Sequence, residues 1–309
     1  MKHHYRVSFA ILCLIGGGCA VEEDAGATGS LAMEGEVRLR NIRQLTSGGE
    51  NAEAYWAFDG SQLIYQARKP DAECDQIYVL DPESLDTRMV STGDGRTTCS
   101  YFYPSGNEIL YSSTHHHNAA CPENPDFSMG YVWPVYDTYD VFASNLDGSD
   151  LRQLTTEDGY DAEATFSPIG DRIVFTSARD GDLELYSMAP DGSDLLRLTD
   201  RPGYDGGAFY SPDGSKIIWR AYYPEEGPEL EDYRRLLSQG LLRPGELEIY
   251  IMDADGSNQQ QVTQLGGANF APYWHPSGEK ILFSSNHHDP DGRDFEIYMI
   301  NIDGGGLTR

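Results

Sequence analysis

Basic residues are scarce in this chain, and their scarcity excludes one class of partner. The 309 residues include 22 lysines and arginines against 50 aspartates and glutamates, a formal net charge of −28. So acidic a protein repels phosphate backbones, and we do not expect it to bind nucleic acid. The acidic balance suits cationic partners or divalent ions, and it is equally typical of a solvated surface that favours solubility.

Long apolar runs and local catalytic motifs are also missing. The apolar run at residues 7–15 is too short to span a bilayer. The sequence has no GxSxG, HExxH or P-loop motif, and no CxxC or HxxxH spacing of metal ligands. We therefore predict no enzyme class from local motifs, although an active site assembled from distant segments would leave no such motif.

The N-terminus has the pattern of an export signal. Lys2 and Arg6 flank the start of the apolar run, and three glycines then lead to Cys19. This arrangement resembles a bacterial lipoprotein signal, in which Cys19 would become the lipidated first residue. Gly16 departs from that pattern, since an aliphatic residue is usual there, and secretion without a lipid is the alternative. The predicted parts are a signal peptide, a flexible tether and a folded domain, at residues 1–18, 19–36 and 37–309.

A repeated unit of four short strands fills the predicted folded domain. Its marker is a turn of the Ser-Pro-Asp-Gly kind, followed by a β-branched strand, a strand containing Tyr or Phe, and an Asp-Gly hairpin. A period near 44 residues with two insertions is typical of propeller blades. We predict an all-β propeller of four-stranded antiparallel blades rather than an irregular β-sandwich. Five blades are present, marked by the turn glycines Gly60, Gly106, Gly170, Gly214 and Gly278.

The repeat also points to a family. The pattern Arg-Gln-Leu-Thr, then Ser-Pro-Asp-Gly-x-Lys-Ile, then Ile-Tyr-x-Met-x-x-Asp-Gly-Ser resembles the TolB-type, WD-like propeller repeat. The resemblance covers residues 37–309 and implies a bacterial envelope protein, because TolB itself is periplasmic. It predicts the fold more strongly than the function, since propellers serve as binding modules and as enzymes.

Counting strands leaves the predicted ring one blade short. Residues 38–45 and residues 305–308 each match an outer, fourth strand. Propellers of this type usually close by pairing an N-terminal outer strand with the three inner strands of the last blade. We therefore expect a truncated sixth blade of about 40 further residues. A five-blade ring with a spare strand is the alternative.

All long insertions fall on the face opposite the Ser-Pro-Asp-Gly turns, which we call the top face. They occupy residues 113–138, 221–246 and 286–294. Within the second, Leu230, Tyr233, Leu237 and Leu241 recur at helical spacing, which predicts a short amphipathic helix over this face. Loops on a rigid scaffold commonly carry binding residues, so we predict the ligand site here.

Two sets of polar residues are candidate ligands at the top face. The first lies where the blades begin and is predicted to surround the central channel. Its oxygens suit a divalent cation such as calcium, although such residues often cap loops or bind water instead. The second set is histidine-rich. At residues 115–117 a zinc site shared with a cysteine is an open alternative. Residues 287–294 partly resemble a calcium loop but lack the EF-hand pattern, and a solvated acidic turn is the favoured alternative there. The candidates are Glu53, Thr98, Asp161, Glu163, Asp205 and Asn269 in the first set, and His115, His116, His117, His287 and His288 in the second. Beyond such an ion, no cofactor is predicted.

Three cysteines of the folded domain are also expected at the top face. In an oxidising compartment, two of Cys74, Cys99 and Cys121 are expected to form a disulfide. We expect Cys99 to be one partner and the third cysteine to remain free.

These observations favour a non-enzymatic recognition or scaffold module, lipid-anchored in the periplasm or at the outer membrane, that binds a protein or a glycan. The resemblance leaves two enzymes as alternatives. One is the propeller part of a hydrolase of the prolyl oligopeptidase type, whose catalytic domain would follow residue 309. The other is a metal-dependent enzyme similar to oligogalacturonate lyase, with His275 as a further candidate ligand beside the histidines named above.

Overall fold

The computed structural model describes Leu31 and residues 36–309, so the predicted signal peptide, Cys19 and most of the tether lie outside the described residues. Residues 36–44 contain no helix or strand. The predicted propeller is confirmed: from residue 50 onward the chain forms five antiparallel blade sheets, each with its strands in chain order, and one further two-stranded sheet between two insertions. Among the described residues, no helix is both long and apolar enough to span a bilayer.

The first three blades each have four strands. Blade 1 contains β1 (Glu50–Trp56), β2 (Leu63–Arg68), β3 (Gln76–Leu80) and β4 (Thr87–Met89). Blade 2 contains β5 (Thr97–Phe102), β6 (Glu108–Ser113), β8 (Asp140–Asn145) and β9 (Arg152–Gln153), with β7 (Trp133–Pro134) in the insertion between β6 and β8. Blade 3 contains β10 (Asp161–Phe166), β11 (Ile173–Ser177), β12 (Glu184–Met188) and β13 (Leu196–Arg197).

The last two blades complete the arc. Blade 4 contains β14 (Tyr204–Tyr210), β15 (Lys216–Tyr222), β17 (Glu248–Asp253) and β18 (Gln260–Gln261), with α1 (Pro228–Leu237) and β16 (Leu241–Leu242) in its insertion. Blade 5 contains β19 (Asn269–Trp274), β20 (Lys280–Ser285) and β21 (Glu296–Asn301). Its predicted fourth strand, at residues 305–308, is reduced to a single bridge between Met299 and Thr308.

No strand precedes β1 among the described residues, so the predicted outer strand at residues 38–45 is not formed here, and its pairing with a sixth blade stays a prediction. An outer strand must pair with a third strand, and β3, β8, β12 and β17 each pair with a fourth strand of their own. The remaining third strand, β21, is bridged by Thr308.

Apolar side chains between neighbouring blades form the core. The alternating positions of the second and third strands face the adjacent blades, as the period of two requires. Ile77, Val141, Leu185 and Ile249 occupy the same register position in blades 1 to 4, and each is fully buried. The equivalent Ile297 of blade 5 is 61% exposed. The expectation of a sixth blade stays a prediction.

Candidate functional site

Every inner strand carries the same backbone irregularity. The antiparallel register shifts at one place in β1, β5, β10, β14 and β19. At that place one residue of each strand has a positive φ between 49° and 58°, a conformation that costs non-glycine residues about 1–2 kcal/mol. The five residues line one small cavity of about 40 Å³, which marks the centre of the ring: Glu53, Cys99, Glu163, Gly207 and Ala271.

Aromatic rings fill the ring's centre two residues further along the inner strands. Phe209 contacts Tyr55 at 5.6 Å and Tyr273 at 5.2 Å between ring centroids, and Tyr55 contacts Tyr101 at 5.4 Å. Side chains of blades 1, 2, 4 and 5 therefore meet below the cavity. The centre of the propeller is packed at this level rather than open.

Glu163 is the hub of the central cavity. Its carboxylate accepts hydrogen bonds from Thr176 Oγ1 at 2.9 Å, Tyr204 OH at 3.0 Å and the Gly207 amide at 3.0 Å, and it pairs with the Arg220 guanidinium. The side chains of Glu163 and Arg220 are only 12% and 15% exposed. Four protein groups hold the Glu163 carboxylate, which is typical of a structural buried ion pair, whereas the buried Nε of Arg220 has no hydrogen-bond partner among the described residues.

Cys99 faces the same cavity as a free thiol. Burial, together with the nearby Glu53 and Glu163 carboxylates, raises the pKa of the Cys99 thiol well above its usual value. The thiol therefore stays protonated at neutral pH and is a poor nucleophile.

Three of the predicted channel ligands lie inside the blades. Asp161 pairs with Arg179 at 2.9 Å, and the Asn269 Oδ1 accepts a hydrogen bond from Ser285 at 2.7 Å. Asp205 Oδ1 accepts from Trp219 Nε1 at 2.6 Å and from Tyr223 OH at 2.5 Å, while its buried Oδ2 has no protein partner. Burial raises the pKa of the Asp205 carboxyl to about 8. These three side chains serve the packing of the blades, and their part in ion binding stays a prediction.

Of the other predicted channel residues, Thr98 donates a hydrogen bond to Gln66 Oε1 at 2.9 Å. Glu53 accepts a hydrogen bond from the Tyr55 hydroxyl. The structure brings Glu53 and Glu163 to the same cavity and places Thr98 beside it, next to Cys99.

The insertions of blades 2 and 4 join to form a cap over blade 3. β7 pairs with β16, so that Trp133 lies opposite Leu242. The predicted helix is confirmed as α1, which begins at Pro228 and buries Tyr233 and Leu236. Leu241, expected on the helix, lies in β16 instead, because Gly240 reverses the chain with a φ of 68°.

A disulfide fixes the start of the blade 2 insertion to blade 1. Cys74, in the loop between β2 and β3, is joined to Cys121, and their Cα atoms are 5.7 Å apart. The expectation that Cys99 would be one partner is wrong. Cys99 is the left-handed residue of β5, and the irregularity there turns its side chain towards the central cavity.

An open cleft of about 490 Å³ separates the cap from the loops of blade 5. We call it the top-face cleft and define it by Tyr131, Trp133, Glu246, Phe270, Asp291 and Phe295. The Phe270 and Phe295 rings stack 5.0 Å apart at an interplanar angle of 17°, and Trp133 lies 6.5 Å from Phe270. Tyr131 and Phe295 are 66% and 37% exposed. Four aromatic side chains from three separate segments thus line one recess.

Two polar side chains, the buried Asn286 and the half-buried Glu248, hold the loops of blade 5 that form one wall of this cleft. Asn286 accepts a hydrogen bond from the Ala268 amide at 2.7 Å and donates to the Pro290 and Gly292 carbonyls at 3.0 and 3.1 Å. Glu248 accepts from the amides of Leu265 and Gly266 at 2.8 and 2.9 Å. The wall is therefore preorganised by the protein itself.

The candidate histidines are not gathered into one site. His115 and His116 lie against Phe142 of blade 2, with centroids 4.4 and 6.4 Å away, whereas His287 and His288 lie against Tyr298 of blade 5. The His117 amide donates a hydrogen bond to the Thr114 carbonyl at 3.1 Å. His275 lies in the bottom turn, as predicted, where its ring is hydrogen-bonded to the Ser277 hydroxyl.

One group of possible metal ligands occurs within the described ranges. His288, Asp294 and Glu296 present ligand atoms within 4.8 Å of one another, and Glu296 is also paired with Arg309. Cys74 and Cys121 carry no thiolate for zinc, because both are in the disulfide. A zinc site at His115, His116 and His117 stays a prediction.

Sequence reasoning missed the aromatic lining of the top-face cleft. Tyr131 and Trp133 lie in the blade 2 insertion, yet Phe270 belongs to an inner strand and Phe295 to the blade 5 loop. Alternating aromatics within an otherwise polar insertion were the available signal. Their convergence with Phe270 and Phe295 depends on the pairing of β7 with β16.

Comparison with known proteins supports the propeller. Residues 125–226 match the family described as the TolB beta propeller domain. An uncharacterized protein of Agrobacterium fabrum is 27% identical over 86 residues, which are 26% of this chain and 29% of that protein. The chain thus spans less than a third of that curated relative.

Solved structures show the same fold. TolB from Acinetobacter baumannii is 17% identical with a TM-score of 0.60, over 84% of this chain and 54% of that one. A putative TolB from Agrobacterium tumefaciens is 20% identical with a TM-score of 0.58, over 84% and 80%. Oligogalacturonate lyase in complex with manganese is 14% identical with a TM-score of 0.54, over 86% and 66%. These likenesses concern the fold alone.

Proposed function

We propose that this β-propeller, whose residues 125–226 match the TolB beta propeller domain, is a non-enzymatic recognition module of the bacterial envelope. Its top-face cleft binds a protein or a glycan. The propeller supplies a rigid frame, and the insertions supply the contacts. If the ligand is a protein of an envelope complex, binding at the top-face cleft would make this propeller a scaffold of that complex.

One observation carries this proposal. The insertions of blades 2, 4 and 5 converge on a single recess, and with Phe270 of β19 its defining residues come from four separate segments of the chain. Recesses with an apolar lining and a few polar groups are the usual form of binding sites, and loops on a rigid scaffold are their usual source. Trp133 joins the cap to the centre of the ring, since its ring lies 5.8 Å from the Arg220 guanidinium.

Export and anchoring belong to the same proposal. Lys2, the apolar run at residues 7–15 and Cys19 support a lipoprotein signal, and the Cys74–Cys121 disulfide suits an oxidising compartment. A lipid at Cys19 would place the propeller in the periplasm or at the outer membrane, beyond a short tether. Labelling of bacteria with an alkyne fatty acid should modify the full chain and not its Cys19→Ser variant. Equal labelling of both would contradict the anchor.

The recognition role is tested by binding. Detergent extracts of envelopes are passed over the immobilised propeller and over its Tyr131→Ala/Phe295→Ala variant, and captured components are then purified and titrated directly. The matched control is Ile169→Ala, because Ile169 is 61% exposed on a turn opposite the cleft. We expect the cleft variant to lose the captured component and the control to retain it. Equal capture by all three proteins would contradict the proposal.

A metal-dependent lyase is the second candidate, favoured by the group of His288, Asp294 and Glu296 and by the fold shared with the manganese complex. The acidic charge argues against it, because a polyanionic substrate would be repelled by a chain of net charge −28. Metal analysis of the purified protein, followed by assays of His117→Ala and His288→Ala on acidic oligosaccharides, distinguishes the two. Metal-dependent cleavage that is lost in His288→Ala would replace recognition with catalysis.

A propeller belonging to a hydrolase of the prolyl oligopeptidase type remains a further proposal from the resemblance. Its test is the intact reading frame, which would have to encode a catalytic domain after residue 309. Peptidase activity of the full-length product would then overturn the non-enzymatic proposal.

A further inference from the structure

The three insertions of the top face are much more acidic than they are basic. Residues 113–138, 221–246 and 286–294 together contain twelve aspartates and glutamates, four arginines and no lysine. A surface with this excess of one sign attracts ligands of the opposite sign and accelerates their association. The charge therefore favours a cationic ligand at this face.

Within the top-face cleft, only a few charged groups are available to a ligand. The Glu248 carboxylate and the neutral Asn286 side chain already form hydrogen bonds with the backbone of the loops. By contrast, Glu246, Asp291 and Arg293 are exposed and have no hydrogen bond or ion pair among the described residues. Two carboxylates against one guanidinium leave the recess itself with a negative balance.

The aromatic lining suits a cationic ligand for a second reason. The face of an aromatic ring attracts an ammonium or guanidinium group within about 6 Å of its centroid. Arg220 already holds this position beneath Trp133, at 5.8 Å. Tyr131, on the cap, still exposes 66% of its surface, and Phe295, on the blade 5 loop, exposes 37%. These two side chains offer free aromatic surface beside Glu246 and Asp291.

We infer that the top-face cleft binds a lysine- or arginine-bearing peptide segment of a protein partner. The cationic head groups lie against Tyr131 and Phe295 and pair with Glu246 and Asp291. Arg293 is left for a backbone carbonyl of the peptide. This inference rests on the proposed function and names the class of its ligand.

Charge separates this ligand from the glycans that the same recess could admit. An anionic glycan would meet the same repulsion that opposes a polyanionic substrate. A neutral glycan would form hydrogen bonds with Glu246 and Asp291, but its affinity would change little with ionic strength, since no counter-charge is involved. Binding of a cationic peptide should instead weaken as salt is added.

The test uses the full propeller and four defined probes. Fluorescence anisotropy is recorded with labelled capped hexalysine, hexa-arginine and hexaglutamine peptides and with labelled chitohexaose, at two salt concentrations. Glu246→Gln/Asp291→Asn removes two charges at the cleft. Asp171→Asn/Glu279→Gln removes the same charge from exposed turns of the opposite face and is the matched control. Tyr131→Ala/Phe295→Ala removes the aromatic surface.

We expect both cleft variants to bind the basic peptides at least about tenfold more weakly, while the control retains wild-type affinity. Equal weakening in the control variant would show adsorption to a generally acidic surface and would overturn the inference. Binding of chitohexaose without the basic peptides would also overturn it, but would leave recognition by the top face intact. If the cleft variants captured envelope components as well as the wild-type protein does, that result would instead contradict the proposed function itself.

Discussion

Replacing Glu163 with alanine should destabilise the propeller far more than breaking an ion pair at its surface. The change removes the acceptor of four hydrogen bonds and leaves Arg220, 15% exposed, without its counter-charge. Removing one partner of a buried pair costs about 3–5 kcal/mol. Alanine also retains the cost of the left-handed backbone at a φ of 58°. We therefore expect the free energy of unfolding of Glu163→Ala to fall by about 3–5 kcal/mol.

Glu163→Gly separates the two contributions. Glycine loses the same hydrogen bonds but adopts positive φ freely, so this variant should be about 1 kcal/mol more stable than Glu163→Ala. Guanidinium chloride unfolding, followed by tryptophan fluorescence and circular dichroism, measures both. The control is Glu50→Ala, which breaks the pair with Arg68 in which Glu50 is 68% exposed. That change should cost less than about 1 kcal/mol. Equal losses for Glu163→Ala and Glu50→Ala would refute the reasoning.

Three other perturbations have expected outcomes. Burial raises the pKa of the Asp205 carboxyl to about 8, so the folded protein holds a proton that the unfolded chain releases near pH 4. Stability should then fall by up to about 1.4 kcal/mol per pH unit between pH 4 and 8. Asp205→Asn should flatten this slope in denaturant titrations, and an unchanged slope would contradict it. Replacing Cys74 and Cys121 by serine opens a loop with a sequence separation of 47 and should cost about 4 kcal/mol. A midpoint of unfolding equal to that of the oxidised wild type would show that the bridge contributes nothing. Asn286→Ala should speed hydrogen exchange in the 286–295 loop, because three partly buried hydrogen bonds are lost. The exposed Asn258→Ala is its control, and equal exchange in both variants would indicate that Asn286 does not hold the loop.

The predictability of the candidate site varied with how local each feature was. The helix at residues 228–237 could be predicted because Pro228, the apolar spacing and Gly240 all act within a few residues. The disulfide could not be assigned, because Cys74 and Cys121 meet only when blade 1 packs beside the blade 2 insertion. Cys99 lies at a left-handed backbone position. The sequence does not predict such positions, because only one of the five equivalent residues, Gly207, is a glycine.

The sequence by itself determined the architecture of this protein. Turns, hairpins and alternating strands depend on residues that are close in sequence. Because the same four-strand unit recurs five times, each repeat supports the assignment of the others. The tertiary structure alone decided which side chains share a space. The left-handed residue of every inner strand places Glu53, Cys99 and Glu163 around one cavity, and the pairing of β7 with β16 brings Trp133 towards Phe270. The scarcity of basic residues is a property of the composition of the whole chain. The insertions, by contrast, form their recess only through contacts between distant segments. Such contacts depend on how the blades pack, and no local pattern encodes them.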